Sequence, residues 1–197
     1  MEALFLGSHP AMDFLNTTFT PEGALVEVIG DGESFLRWLV DAQLLAPSDA
    51  ARLKRLCSSK ALDACARDAR KVRTWATEWI ERWSNDPRAP YSVELHRLNA
   101  LLERSHSFQQ INRAGASLEI TRHEHLLDPS ELLGLIAYPL AQLMTNEDPK
   151  LVKCCAGTGC TLWFLDRTKA HRRLFCSAAA CGNRAKVAAF RERQRRL

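Results

Sequence analysis

What this sequence lacks narrows it first. No apolar run approaches the roughly 20 residues that carry a helix across a bilayer, which excludes a transmembrane helix. The opening Met1-Glu2-Ala3-Leu4-Phe5-Leu6 has neither the basic start nor the long apolar stretch of a secretory signal, and reads as that of a cytoplasmic protein. There is no internal repeat and no low-complexity block. No phosphate-cradling loop, nucleophile–base pair or metal motif with an open position stands out, so an enzyme is the least supported class. Acidic side chains nearly vanish toward the C-terminus: from Lys150 onward only Asp166 and Glu192 remain, against twelve Lys and Arg.

That shortage makes the charge asymmetric. The whole chain carries +4, but residues 150–197 hold twelve of the 27 basic and only two of the 23 acidic side chains, leaving residues 1–149 acidic. An acidic body with a basic tail suits a module that meets a polyanion. A solubilising tail, or a tail docked on its own body, has the same charge layout. With 197 residues and 46% hydrophobic content the chain can bury one ordinary core and carry a small appendage.

What is present in the tail is cysteine at regular spacing. Cys155-Ala-Gly-Thr-Gly-Cys160 is followed, fifteen residues on, by Cys176-Ser-Ala-Ala-Ala-Cys181. Two pairs on tight turns give the convergent soft ligands of a tetrahedral zinc site, and Gly157 and Gly159 let the first turn fold back on its sulfurs. Ordinary small buried cysteines are the alternative, and two equal spacings argue against it. The chain has seven cysteines, an odd number, four of them at metal spacing, which disfavours a disulfide framework. Cys154 competes with Cys155 as first ligand; Cys155 gives the symmetric spacing. Four thiolates leave no open position, so one structural Zn²⁺ is expected.

The run through Trp163-Phe164-Leu165-Asp166, Arg172-Arg173, Cys176-Ser177 and Cys181-Gly182-Asn183-Arg184-Ala185-Lys186 resembles the CGNR-type zinc finger, whose pattern also favours Cys155. His9-Pro10-Ala11-Met12-Asp13-Phe14-Leu15-Asn16-Thr17 is similar to the opening of the ABATE domain, which usually precedes that finger. Together they cover nearly the whole chain. The resemblance implies stress-induced transcription regulation and raises DNA binding as its mechanism.

The expected fold is mainly α with small β-hairpins (α+β): a helical sensing or dimerisation body over residues 1–149 and a treble-clef-like four-cysteine zinc finger over 150–197. Truncation at Pro149 is expected to leave a folded body. Residues 7–30 read as short strands and turns, with Asp13, Asn16 and Thr17 either lining a small effector pocket or capping helices and turns. Ser34 is read as the cap of a helix to about Leu44, and Ser48 as the next cap. Leu62, Cys65, Ala69, Val72, Ala76, Trp79 and Trp83 form one long helical stripe. Arg67, Arg70, Lys71 and Arg73 between them are expected to face solvent, and Cys57 and Cys65 to sit in the core. Ser92 opens a helix with Leu95, Leu98, Leu101 and Leu102 inward. Two alternating runs around Ala114-Gly115-Ala116 predict a hairpin, and Asp128-Pro129 starts the last body helix. His123-Glu124-His125 has no third ligand nearby and carries little weight as a metal site.

In the finger, Trp163-Phe164-Leu165 and Arg173-Leu174-Phe175 are expected to pair, with a helix from Gly182 to about Arg195 after them. Val187 and Phe190 would dock that helix, leaving Lys186, Arg191, Arg193, Arg195 and Arg196 for duplex DNA. Arg172, Arg173, Asn183 and Arg184 are further candidates for nucleic-acid contact, with Arg173, Asn183 and Arg184 equally suited to offsetting the −2 charge of a four-thiolate zinc site. The leading reading is a transcription regulator that binds duplex DNA, with a body that binds a small-molecule effector or forms a homodimer and no membrane association. An adaptor for an acidic protein and an RNA-binding protein are the alternatives.

Overall fold

A computed structural model describes residues 3–20, 24–124 and 126–195, with the backbone alone at 114 and 121–123. His125 and Arg196 of the expectations above therefore lie outside the described residues. The chain is mainly helical, with three two-stranded antiparallel sheets among the described residues. None of its described helices is long and apolar enough to cross a membrane. It forms two compact units: residues 29–72 with 90–141, and residues 1–28 with 73–89 and 142–197.

In the first of these, α2 (Gly32–Asp41) is capped by Asp31, whose carboxylate accepts from the Ser34 N–H while Ser34 Oγ accepts from the Asp31 N–H. The expected cap Ser34 is thus the third residue of the helix, with Asp31 before it. Likewise α3 (Pro47–Leu56) begins at Pro47, one residue before the expected cap. The long helix α4 (Ser59–Asn85) starts in this unit and ends in the other, and all seven stripe residues from Leu62 to Trp83 are buried. Cys65 donates its thiol to the Pro129 carbonyl and burial pushes its pKa up to about 12, while Cys57 is only half-buried at the end of α3. In α5 (Ser92–Leu102) Leu98 and Leu101 are inward but Leu95 is exposed. The hairpin forms as expected, β3 (Ser107–Ala114) against β4 (Ser117–Glu124), with Gly115 at positive φ in the turn. Its Phe108, Ile111, Leu118 and Ile120 are exposed. Asp128 and Pro129 open a 3₁₀ turn that leads into α6 (Leu132–Asn146), which runs on into the second unit and holds Pro139 in its interior.

The second unit joins both ends of the chain. Residues 10–15, expected as strand or turn, form helix α1 (Pro10–Leu15): Pro10 supplies the preset φ of a first helical residue, and His9 caps it by accepting the Ala11 N–H on Nδ1. Ala11, Met12, Phe14 and Leu15 are buried. Strands β1 (Thr18–Phe19) and β2 (Val26–Glu27) pair beyond it. Arg73, expected in solvent, is buried: its guanidinium reaches Glu27 Oε2 at 2.5 Å and Thr17 Oγ1 at 2.8 Å. Burying a guanidinium is costly unless its donors are matched, and this carboxylate and hydroxyl match them. Arg70 likewise turns inward, to the carbonyls of Ile29 and Gly30, within the other unit.

A four-cysteine centre clamped by the N-terminal segment

In the finger, β5 (Val152–Cys154) pairs antiparallel with β6 (Trp163–Leu165), and the first cysteine pair lies in the loop joining them. The expected partner of β6, Arg173-Leu174-Phe175, is not a strand. Its backbone instead closes on the cysteine loop, with the Ala156 N–H donating to the Leu174 carbonyl at 2.8 Å. The Cys160 N–H donates to Gly157 O at 2.9 Å, which tightens the first turn. A π-turn over Ala178–Gly182 carries Cys181 and runs directly into α7 (Asn183–Arg195).

These turns bring Cys155, Cys160, Cys176 and Cys181 together, with all four sulfurs within 4.8 Å of one another. A tetrahedron with zinc–sulfur bonds of about 2.3 Å has edges of about 3.8 Å. The Cys160–Cys176 and Cys176–Cys181 sulfurs are 3.8 and 3.6 Å apart. Four sulfurs and no oxygen or nitrogen is a soft donor set that suits zinc, and four ligands close its coordination shell, so one zinc here is structural. Cys154 lies outside the cluster on β5, exposed, which settles the choice of first ligand.

Hydrogen bonds aimed at the sulfurs favour thiolates. Cys155 Sγ accepts from the N–H groups of Cys176 (3.2 Å) and Gly157 (3.4 Å), and Cys181 Sγ from Arg184 Nη2 (3.0 Å). Burial pushes the Cys160 thiol up to about 11 and raises Cys176 as well. At Cys181 burial acts the same way, but the Arg184 hydrogen bond and the neighbouring thiols outweigh it and the net direction is down. Crowded thiols that resist ionisation need a cation to hold them together as thiolates. Gly157 leaves no room beside them: a Cβ there would lie 3.0 Å from both Sγ and Cβ of Cys181. Gly157→Ala is therefore expected to weaken zinc affinity about tenfold or more, read by titration against a competing chelator.

Asp166 and Arg173 hold this centre to the rest of the unit. Asp166 is fully buried and accepts from Lys153 Nζ (2.6 Å), Thr168 Oγ1 (2.6 Å) and the N–H groups of Thr168 (3.1 Å) and Arg173 (2.9 Å). Burial alone would raise its pKa, but the hydrogen bonds from Lys153, Thr168 and Arg173 hold it well below the usual carboxylate range. A depressed folded-state pKa gives stability that is present above the unfolded value of about 4 and is lost as the pH falls toward the folded one. Asp166→Asn is expected to cost about 3 kcal/mol at pH 7 and progressively less below pH ~4, read from urea midpoints across that range.

Arg173 lies 4.2 Å over the Phe164 ring and donates to Phe175 O, Ser8 Oγ, Leu6 O and Cys176 O. It ties the second cysteine turn to the N-terminal segment. Asn16 makes the other tie: its Nδ2 donates to Trp163 O and its Oδ1 accepts from Trp163 N–H, both at 2.8 Å. The Leu165 N–H donates to Gly7 O at 2.8 Å, so the edge of β6 not paired with β5 is covered by residues 7–16. Asn16, Thr17 and Asp13 are thus engaged by the fold itself. Thr17 Oγ1 donates to Phe14 O and accepts from Arg73, and Asp13 Oδ1 accepts from Gly7 N–H.

The remaining predicted contacts lie on the finger's outer surface. Arg172, Asn183, Arg184, Lys186, Arg191, Arg193 and Arg195 are exposed. Val187 and Phe190 do not dock α7, being 48% and 56% exposed: the helix meets its own π-turn, and none of its residues is buried.

The sequence model of the ABATE family, described as "Putative stress-induced transcription regulator", matches residues 8–147. The chain belongs to the ABATE family. Residues 152–194 match the CGNR zinc finger, so the four-cysteine cluster falls inside a recognised finger. No curated protein matches the chain significantly. The ABATE and CGNR matches meet between residues 147 and 152, whereas the compact units cut across that point and place the finger with residues 1–28.

Proposed function

We propose that this ABATE protein regulates transcription by binding duplex DNA through α7 and the adjoining finger surface. The observation that carries the reading is α7 itself: thirteen residues with none buried, presenting Lys186, Arg191, Arg193 and Arg195 from a metal-fixed base. At 1.5 Å per residue it is about 20 Å long and fits a major groove about 12 Å wide. Arg172 adds a cation on the finger loop. Arg173 is taken up by its carbonyl acceptors and Arg184 reaches a metal ligand, so these two support the surface more than they read DNA. The body is the candidate for sensing and self-association, and the exposed apolar side chains of β3 and β4 favour the latter.

With about six phosphates neutralised, log affinity for duplex DNA is expected to fall against log salt with a slope near −5, and to lose about one unit of slope for each Lys186→Gln or Arg193→Gln change. Fluorescence anisotropy across a salt series measures this. A flat salt response would sink the reading. Equal binding of an acidic polypeptide would favour the adaptor, and preference for single-stranded RNA the RNA-binding alternative.

A further inference from the structure

An open cavity of about 930 Å³ with a markedly apolar lining reaches from the four-cysteine centre, where Cys160, Cys176 and Cys181 form one end of its wall, outward along α7. Leu4 and Leu6 from the N-terminal segment, Phe19 from β1 and Leu162 from the cysteine loop contribute to it. From α7 come Asn183 and, at the i, i+3, i+4, i+7 spacing of one helix face, Arg184, Val187, Ala188 and Arg191. Lys186 and Arg193 project about 160° away from that face at 3.6 residues per turn. The cavity is within the size range of small-molecule sites, and its walls combine the apolar bulk and sparse polar groups such sites use.

Outside the three cysteine ligands at its end, the charged side chains of this wall among the described residues are Arg184 and Arg191, with no Asp or Glu. Arg184 already donates to Cys181 Sγ, where it offsets thiolate charge. Arg191 is exposed two helical turns farther on, about 10 Å along the axis from Arg184 and so away from the negative metal centre. A second copy of α7 would bring its own row of arginines against this one and be repelled. An apolar wall that ends in a cation complements a molecule with an apolar body and one negative end.

We propose that this cavity binds an amphipathic carboxylate of medium chain length, with its hydrocarbon against Leu4, Leu6, Phe19, Leu162 and Val187 and its carboxylate on Arg191. Effector binding then falls beside the finger, at a place distinct from Asp13, Asn16 and Thr17. A carboxylate held by Arg191 also withdraws that cation from phosphate contact, so ligand and DNA oppose each other reciprocally. This last coupling rests on the DNA-binding reading, whereas the ligand site does not.

The test is calorimetric titration of the full-length, zinc-loaded protein with decanoate, decanol and acetate, below the concentrations at which the amphiphiles aggregate. Saturable 1:1 decanoate binding is expected, with acetate failing to bind for want of an apolar body. Arg191→Gln should weaken decanoate about tenfold or more and leave decanol unchanged, since a charge-assisted hydrogen bond is lost only for the anion. Ala188→Trp, at an exposed helical position, should cover the apolar wall beside Val187 and weaken both about tenfold or more. No saturable decanoate binding, or decanoate binding indifferent to both substitutions, overturns the proposal. Decanoate binding that follows these rules in a protein without DNA affinity upholds the ligand site and removes only the DNA-binding reading.

Discussion

Stripping the metal with a chelator at neutral pH is expected to unfold the segment from Cys155 to Gly182 and to weaken the N-terminal segment with it. Structural zinc in a small finger contributes about 10–16 kcal/mol to folding, more than the local side chains can replace. Without the ion, the Cys160 and Cys176 thiols, raised by burial, remain protonated, and nothing holds the four sulfurs around one point. The loss does not stop at the finger. Arg173 would no longer have a fixed Cys176 carbonyl to hold while it reaches Leu6 and Ser8, and Asn16 would lose an ordered Trp163. Hydrogen exchange should therefore show lost protection at residues 152–182 and also at 7–17, while the unit formed by 29–72 and 90–141 keeps its own. Protection unchanged at 7–17 after complete metal removal would show that the N-terminal tie does not depend on the ion. Adding Zn²⁺ back should restore both regions together.

What could be read from the sequence follows the range of the interactions. The cysteine spacing found the metal centre because each pair is local, and each turn is specified within six residues. The stripe from Leu62 to Trp83 found α4 because one periodic face repeats for more than twenty residues. Helix α1 was missed because six residues are too few for periodicity, although Pro10 at its first position and His9 as cap were visible signals. Arg73 was misplaced because nothing local tells a buried arginine from an exposed one. Its partners Glu27 and Thr17 lie more than forty residues away. Asn16 posed the same problem at greater distance: an asparagine between Leu15 and Thr17 resembles a cap, and only the fold brings Trp163, 147 positions on, against its amide. The exposure of Val187 and Phe190 was hidden for the opposite reason, since helical spacing shows that two side chains share a face but not whether any surface meets it.

Ending the chain after Pro149 is the second large perturbation, and it is expected to destabilise what remains. From sequence alone the charge reversal and the Asn146-Glu147-Asp148-Pro149 loop suggest an autonomous body. Packing within the unit of residues 1–28, 73–89 and 142–197 argues the reverse. Helix α1 packs on β6, and Phe164 and Leu165 of that strand are wholly buried. Burial of two such side chains is worth about 3–6 kcal/mol, comparable with the 5–15 kcal/mol of a whole domain. The truncated chain would also leave the Gly7 carbonyl and the Asn16 amide without their strand partners and expose the apolar face of α1 to water. Urea unfolding should show a lower midpoint and a shallower slope than the full chain, because the N-terminal segment would already be partly unfolded. Residues 29–72 and 90–141, a compact unit of their own, should retain helical circular dichroism. A truncated protein with the midpoint of the full chain would mean that residues 1–28 fold without the finger, and that Asn16 and Gly7 merely receive it.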